Sequence, residues 1–317
     1  MSERAKADLA LAGTMFMWGA TFVVVQNALA YASVFSFLSV RFILAAVVMA
    51  AIYWRTVRGL DRTTIIVGAA MGIFLCGGYI CQTIGLKFTT PSKAAFLNGS
   101  SAVLVPLMLA IFGRRRISVW AWAGAVVATL GLYLLAVPPA GFSHLNAGDL
   151  LSFGSAILFA IHIIVVGKYS RSHSTIALTF VQVAVTAIVA TIAVPLFSAT
   201  GWEAPRFDLN ASLLSALVVT AIGCTILGFS AQVWAQKHTT PSHVAILFTL
   251  EPVFAALTSF VVLHERLSHR ALAGAALIFA AILLAELKGP VQAASDSPGP
   301  VMESSEAEES ANAGSAG

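Results

Sequence analysis

Charged side chains are scarce in this sequence. Asp, Glu, Lys and Arg together make up 10% of its 317 residues, while 58% are hydrophobic. A soluble domain carries about 25% charged residues. Nor can a fold of this size hide so much apolar surface, because surface does not shrink fast enough with size. A water-soluble enzyme or binding module is excluded, and the composition is that of a polytopic membrane protein. Cysteine is rarer still. Cys76, Cys81 and Cys224 all sit inside apolar runs, without a pairing framework or metal-ligand spacing. They read as small buried apolar residues, and no metal or cofactor is expected. Catalytic patterns are missing too. There is no G-x-x-x-x-G-K-[ST] to bind ATP, no H-E-x-x-H, no G-x-S-x-G and no paired acids. No catalytic residue is therefore assigned.

The acids that do occur are unevenly spread. Five of the 14 (Asp296, Glu303, Glu306, Glu308 and Glu309) fall in residues 289–317, which contain no Lys or Arg. A segment so polar cannot bury enough surface to offset its ordering entropy, so it is expected to be disordered. The remaining nine acids face 18 bases. That excess sits in short loops between apolar runs and is not a nucleic-acid signal.

What is abundant is apolar sequence in long blocks. A span needs ~20 mainly apolar residues, and ten segments qualify: about 8–28, 33–54, 63–86, 91–112, 117–137, 148–168, 174–197, 211–235, 241–263 and 269–287. "MSERAKAD" resembles the start of a signal peptide, but the apolar run behind it is too long, so an uncleaved first helix is expected. With the N-terminus in the cytoplasm, twelve bases fall on the cytoplasmic side and five (Lys87, Lys93, Arg206, Arg266 and Arg270) on the other. That satisfies the positive-inside rule and puts both termini in the cytoplasm of a multi-pass protein of the cytoplasmic membrane. Arg41 is the one base left in mid-span.

The chain also repeats itself. "TTPS" occurs at 89–92 and again at 239–242, and "RRRIS" at 114–118 lies opposite "HERLS" at 264–268, both at an offset of 150. Earlier in each half, 7–25 aligns with 148–166 at an offset of 141. That register pairs Asp8 with Asp149, Trp18 with Phe159, Thr21 with His162 and Arg41 with Gln182. The halves are residues 1–140 and 141–288, with five helices each. An odd number of helices forces the second copy to enter the membrane from the opposite face. The result is an inverted repeat, an arrangement that secondary transporters use for alternating access to a midplane site.

The stretches "MWGATFVV", "VRFILAA", "TTPSKAAFLNGSSAVLVPLMLAIF", "GDLLSFGSAILFAIHIIVVGKYSR" and "TTPSHVAILFTLEPVFAALTSFVVLHERLS" resemble the EamA-type branch of the drug/metabolite transporter superfamily. The likeness covers about residues 8–287. It implies an all-α membrane protein with ten helices in two five-helix repeats around a central cavity. It also implies movement of small metabolites, often amino acids or related compounds, usually outward. One departure is the last loop, where the usual Gly-Glu reads His264-Glu265, opposite Arg114-Arg115 in the first half.

Polar groups within spans are costly and tend to face the bundle interior or a wet cavity. Trp18, Thr21, Tyr79, Gln82, Asn98, His162 and Gln232 are the substrate-cavity candidates, and Gln82 and Gln232 correspond at the offset of 150. For Gln82 and Gln232 the alternative is interhelical hydrogen bonding, and for His162 a simple hydrogen bond within the bundle. Glu251, just before Pro252, is a candidate for proton coupling or for a gate, with a structural polar group at a helix bend as the alternative. Arg41 is its possible partner, or pairs elsewhere. Pro91 and Pro241 begin helices, where a missing N–H costs nothing and a preceding Thr can cap. Their helix N-termini could instead point a positive dipole end at an anionic substrate. Pro106 is expected to bend its helix.

The function that fits best is a secondary transporter working as a monomer or homodimer, with the lipid bilayer and a small-molecule substrate as partners and protons as a candidate coupling partner. A channel or sensor is disfavoured because inverted symmetry serves alternating access. An intramembrane enzyme lacks its motifs.

Overall fold

The computed structural model describes residues 1–89, 91–113, 117–137, 141, 146–262 and 268–288. The acidic tail, Arg114–Arg116 and most of "HERLS" lie outside the described residues. The secondary structure among the described residues is helical, apart from an isolated antiparallel bridge between Ala32 and Phe207. In order the helices are α1 (Glu3–Ala28), α2 (Val34–Ile52), α3 (Trp54–Arg58), α4 (Arg62–Gly85), α5 (Pro91–Gly99), α6 (Ser101–Ile111) and α7 (Val119–Ala136). The second half contains α8 (Ala147–Tyr169), α9 (Thr175–Ala199), α10 (Ala211–Val218), α11 (Gly228–Ala235), α12 (Pro241–Leu247), α13 (Leu250–Val262) and α14 (His269–Lys288). Among the described residues, eight candidate spans are long and apolar enough to cross a membrane, and two shorter apolar helices, Phe96–Ile111 and His269–Ala285, bring the number to ten.

Local chemistry sets where these helices begin. The Ser2 hydroxyl accepts from the Ala5 N–H at 3.2 Å, so α1 starts at Glu3 rather than near residue 8. Asp61 caps α4 by accepting from the Thr64 N–H at 2.7 Å. At α8 the Asn146 side chain accepts from the Asp149 N–H at 3.0 Å, and Asp149 Oδ2 accepts from the Asn146 N–H at 2.8 Å. This reciprocal box satisfies two donors that the first turn leaves open. Thr240 caps α12 through the His243 N–H at 3.3 Å, with Pro241 at the first helical position, as expected of a helix start.

Three spans are interrupted in ways that periodicity did not reveal. The fourth breaks at Ser100, whose N–H bonds the Leu97 carbonyl in a tight turn at 3.2 Å. α6 then runs on through Pro106, so the interruption falls upstream of the proline expected to cause it. The ninth span breaks at Phe248-Thr249. Pro252 has no N–H for the Phe248 carbonyl, and the Glu251 N–H takes that acceptor instead at 3.1 Å. The eighth span carries a π-helical segment, Val219–Leu227, between α10 and α11.

The two repeats have opposite orientations. At the end of the bundle where α1 finishes, Lys87 pairs with Glu203, the Arg206 guanidinium donates to the Leu29 carbonyl at 2.9 Å, and Asn146 Nδ2 donates to the Phe88 carbonyl at 2.8 Å. At the end where α1 begins, Asp8 meets His243, Lys237 Nζ donates to the His173 carbonyl at 2.9 Å, and Arg171 Nε donates to the Lys237 carbonyl at 3.0 Å. A 26-residue helix separates the two ends by ~39 Å. The first "TTPS" therefore opens at one end and the second at the other. The last helices of the repeats, α7 and α14, pack backbone to backbone. A Cβ on Gly131 would stand 2.7 Å from the Gly274 carbonyl oxygen, and one on Gly274 would stand 2.6 Å from the Gly131 oxygen. Small residues that admit such approach hold helices together where lipid removes the hydrophobic drive.

Candidate functional site

A cavity of about 90 Å³ lies between the repeats. That space has room for several waters, since one needs roughly 10–15 Å³. Its wall includes all nine residues singled out above: Trp18 and Thr21 from α1, Arg41 from α2, Tyr79 and Gln82 from α4, Asn98 from α5, His162 from α8, Gln232 from α11 and Glu251 from α13.

Trp18, Thr21, Arg41 and Asn98 reach polar partners in the opposite repeat, while His162 and Gln232 bond within their own. The Trp18 indole N–H donates to the Cys224 carbonyl at 2.9 Å, and its ring meets Phe248 edge-on at 5.5 Å between centroids. The Thr21 hydroxyl donates to the Met17 carbonyl at 3.0 Å and lies 3.3 Å from the Cys224 sulfur. Asn98 Oδ1 accepts from the Ser155 hydroxyl at 2.5 Å. His162 Nε2 and Gln182 Oε1 are 2.7 Å apart. Gln232 Nε2 donates to Gln236 Oε1 at 3.2 Å. The Gln82 amide makes no side-chain hydrogen bond among the described residues. Pro241 is not on the wall, so the start of α12 caps the bundle end rather than presenting its dipole to the cavity.

Arg41 and Glu251 do not form an ion pair with each other among the described residues. The Arg41 guanidinium donates from Nε to the Thr225 hydroxyl at 3.0 Å and from an Nη to the Tyr79 hydroxyl at 3.3 Å. It also lies over the Tyr79 ring at 4.8 Å and the Phe42 ring at 5.2 Å. All of these partners are neutral, and the residue is only 4% exposed. The Glu251 carboxyl makes no hydrogen bond among the described residues and lines the cavity. The wall thus carries one cation from the first repeat and one carboxyl from the second, neither neutralised by the other. Such intramembrane ionisable groups mark substrate and ion pathways.

The π-helical segment supplies the partners of Trp18 and Arg41. Wider turns of this kind are rare and often sit at functional sites. Here one brings the Cys224 carbonyl and the Thr225 hydroxyl onto two first-repeat side chains. Gly19 plays a matching part on α1. A Cβ there would lie 2.9 Å from the Ala255 nitrogen and would also press on the Glu251 carbonyl. Its absence lets α1 lie against the bend that carries Glu251.

Sequence reasoning missed Phe159, Phe229, Phe248 and Ser101 as wall residues. A signal for each existed. Phe159 corresponds to Trp18 at the offset of 141, and Phe229, Phe248 and Ser101 correspond to Tyr79, Asn98 and Glu251 at 150. Thr225 had no such signal, because its counterpart at 150 is Leu75. Cys224, read from sequence as a plain apolar residue, lines the cavity and orients Trp18.

The family model of the EamA-like transporter family matches this chain twice, over residues 5–137 and 146–287. An "Uncharacterized transporter" of Archaeoglobus fulgidus is 33% identical over 90% of this chain and 87% of its own. "Uncharacterized transporter YvbV" of Bacillus subtilis is 26% identical over 92% of this chain and 95% of its own. A solved crystal structure shares the fold with a TM-score of 0.73 at 19% identity, covering 89% of this chain and 97% of that one.

Proposed function

Because the chain belongs to the EamA-like transporter family, we propose that it is a secondary active transporter carrying small organic metabolites by alternating access. The cargo class is amino acids or related compounds, moved outward across the cytoplasmic membrane. One observation carries this reading: Arg41 and Glu251 share the wall of a single cavity without pairing with each other. A buried guanidinium with neutral partners is a ready site for an anionic group on the cargo. A carboxyl without a protein partner takes a cationic group or a proton.

Residues 1–140 and 141–288 are the two rocking units, and residues 289–317 are an acidic tail outside the transport machinery. The basic loops put both termini in the cytoplasm. The cavity lies within one chain, so a monomer suffices for transport and a homodimer is not required.

The test is counterflow in vesicles holding the purified chain, run with a labelled metabolite panel at two pH values. Saturable exchange is expected. Unsaturable flux would indicate a channel, and product formation an enzyme. Arg41→Gln is expected to abolish exchange of anionic cargo. If Glu251→Gln left both uptake and its pH dependence unchanged, proton coupling through Glu251 would be wrong.

A further inference from the structure

We propose that Gln232 is a specificity-determining residue of the cavity, a fixed hydrogen-bond acceptor that selects cargo bearing an N–H or O–H donor. This rests on the proposal that the cavity binds a small carboxylate-bearing solute at Arg41. The orientation of the Gln232 amide follows from a chain of three groups. The Ile163 carbonyl can only accept, so Gln236 must turn its Nε2 towards it, at 2.8 Å. That turns Gln236 Oε1 towards Gln232, which must then offer its own Nε2, at 3.2 Å. Gln232 Oε1 is left over. It is a buried atom of a wall residue only 1% exposed, and among the described residues it has no hydrogen-bond partner. Buried polar atoms are nearly always satisfied, and an exception calls for an explanation.

The repeat makes the arrangement one-sided. Gln82 occupies the corresponding place in the first half and lines the same cavity, but the residue matching Gln236 is Leu86. Among the described residues nothing locks the Gln82 amide, which can present either its oxygen or its nitrogen. One half of the wall therefore holds a fixed acceptor and the other an adaptable amide. Arg41, which can only donate, supplies the opposite requirement. Cargo is read at two points, an acceptor group at Arg41 and a donor group at Gln232.

The experiment measures thermal stabilisation of the full chain in lipid nanodiscs by matched carboxylates in three forms. These are 2-amino, 2-hydroxy and unsubstituted, such as leucine, 2-hydroxy-4-methylpentanoate and 4-methylpentanoate. Wild type is expected to favour both donor-bearing forms over the unsubstituted one by roughly three- to tenfold in apparent affinity. Gln232→Met should erase that preference, and Gln236→Leu, which only unlocks the amide, should reduce it. Equal affinity for all three forms, or a preference that survives Gln232→Met, overturns the inference while the carboxylate site stands. No stabilisation by any form overturns both. Arg41→Gln separates the two roles further, because it should weaken all three forms together.

Discussion

Asp8 Oδ1 and His243 Nε2 lie 3.0 Å apart, joining the first helix of one repeat to the ninth span in the other. At the opposite end of the bundle the Thr89 hydroxyl donates to Asp149 Oδ1 at 2.6 Å. Asp8 and Asp149 correspond across the repeat, and both partners belong to the segments marked by "TTPS". Each repeat thus hooks the other through the same acid, once at each end. The rocking proposed above would release one hook at a time. Asp8→Asn, which removes the charge and keeps the shape, should loosen its end by ~1–2 kcal/mol, or about tenfold in the open population. Cys224 is a native reporter on the cavity wall. With Cys76 and Cys81 replaced by Ser, its rate of thiol labelling should rise about as much. An unchanged rate would show that the contact does not hold the cavity shut.

Gly19→Ala is expected to destabilise the protein by ~1–3 kcal/mol, the usual cost of forcing a methyl into a packed contact. The new methyl would meet the backbone of α13 beside Ala255 and Glu251, where no flexible side chain can give way. Thermal melting in detergent tests this. Gly13→Ala, where nothing lies within 4 Å of the added carbon, is the control and should melt like wild type.

Asn146→Ala removes the cap of α8 and should cost ~1 kcal/mol. Asn146→Asp keeps an acceptor for the Asp149 N–H but loses the amide donation to the Phe88 carbonyl. It also puts a second carboxylate beside Asp149. If melting showed Asn146→Asp no less stable than wild type, the tie to Phe88 would carry no weight.

The Thr64 amide, donating to Asp61 ahead of the Thr64 hydroxyl, holds the Asp61 carboxyl below its ordinary value of 3.8. A depressed folded pKa means the stabilisation is present above the unfolded value and is lost as pH falls through the folded one. Amide exchange at Thr64 should therefore accelerate on acidification below about pH 4, allowing for an ordinary Asp pKa near that value. Asp61→Asn should flatten that dependence. An exchange profile identical in the variant would assign the acid sensitivity elsewhere.

Single cysteines in place of Lys87 and Lys237 should label from opposite sides of sealed vesicles with a membrane-impermeant reagent. The basic loops assign Lys237 to the cytoplasmic face. Labelling of both from one side would contradict the opposed repeats.

Composition alone determined that this chain lives in lipid, because 58% apolar residues leave no soluble alternative. The odd helix number, with "TTPS" heard twice, determined the two opposed repeats, since alternation through a membrane is a matter of counting. The intramembrane polar residues could be picked out one by one, because each is costly enough in hydrocarbon to stand out from its neighbours. What they do with one another was not legible. The partners of Arg41 proved to be Thr225 and Tyr79 rather than Glu251. That choice depends on a π-helical turn whose sequence, "VTAIGCTIL", looks like any other apolar run. The break at Ser100, upstream of Pro106, was hidden for a similar reason. Apolar periodicity reports which face of a helix is buried, but in a membrane nearly every face is apolar, so it carries little information on register or kinks. Only packing between the repeats decided which polar groups meet, and among the described residues it left the buried Gln232 Oε1 and the Glu251 carboxyl, both of wall residues, without hydrogen-bond partners.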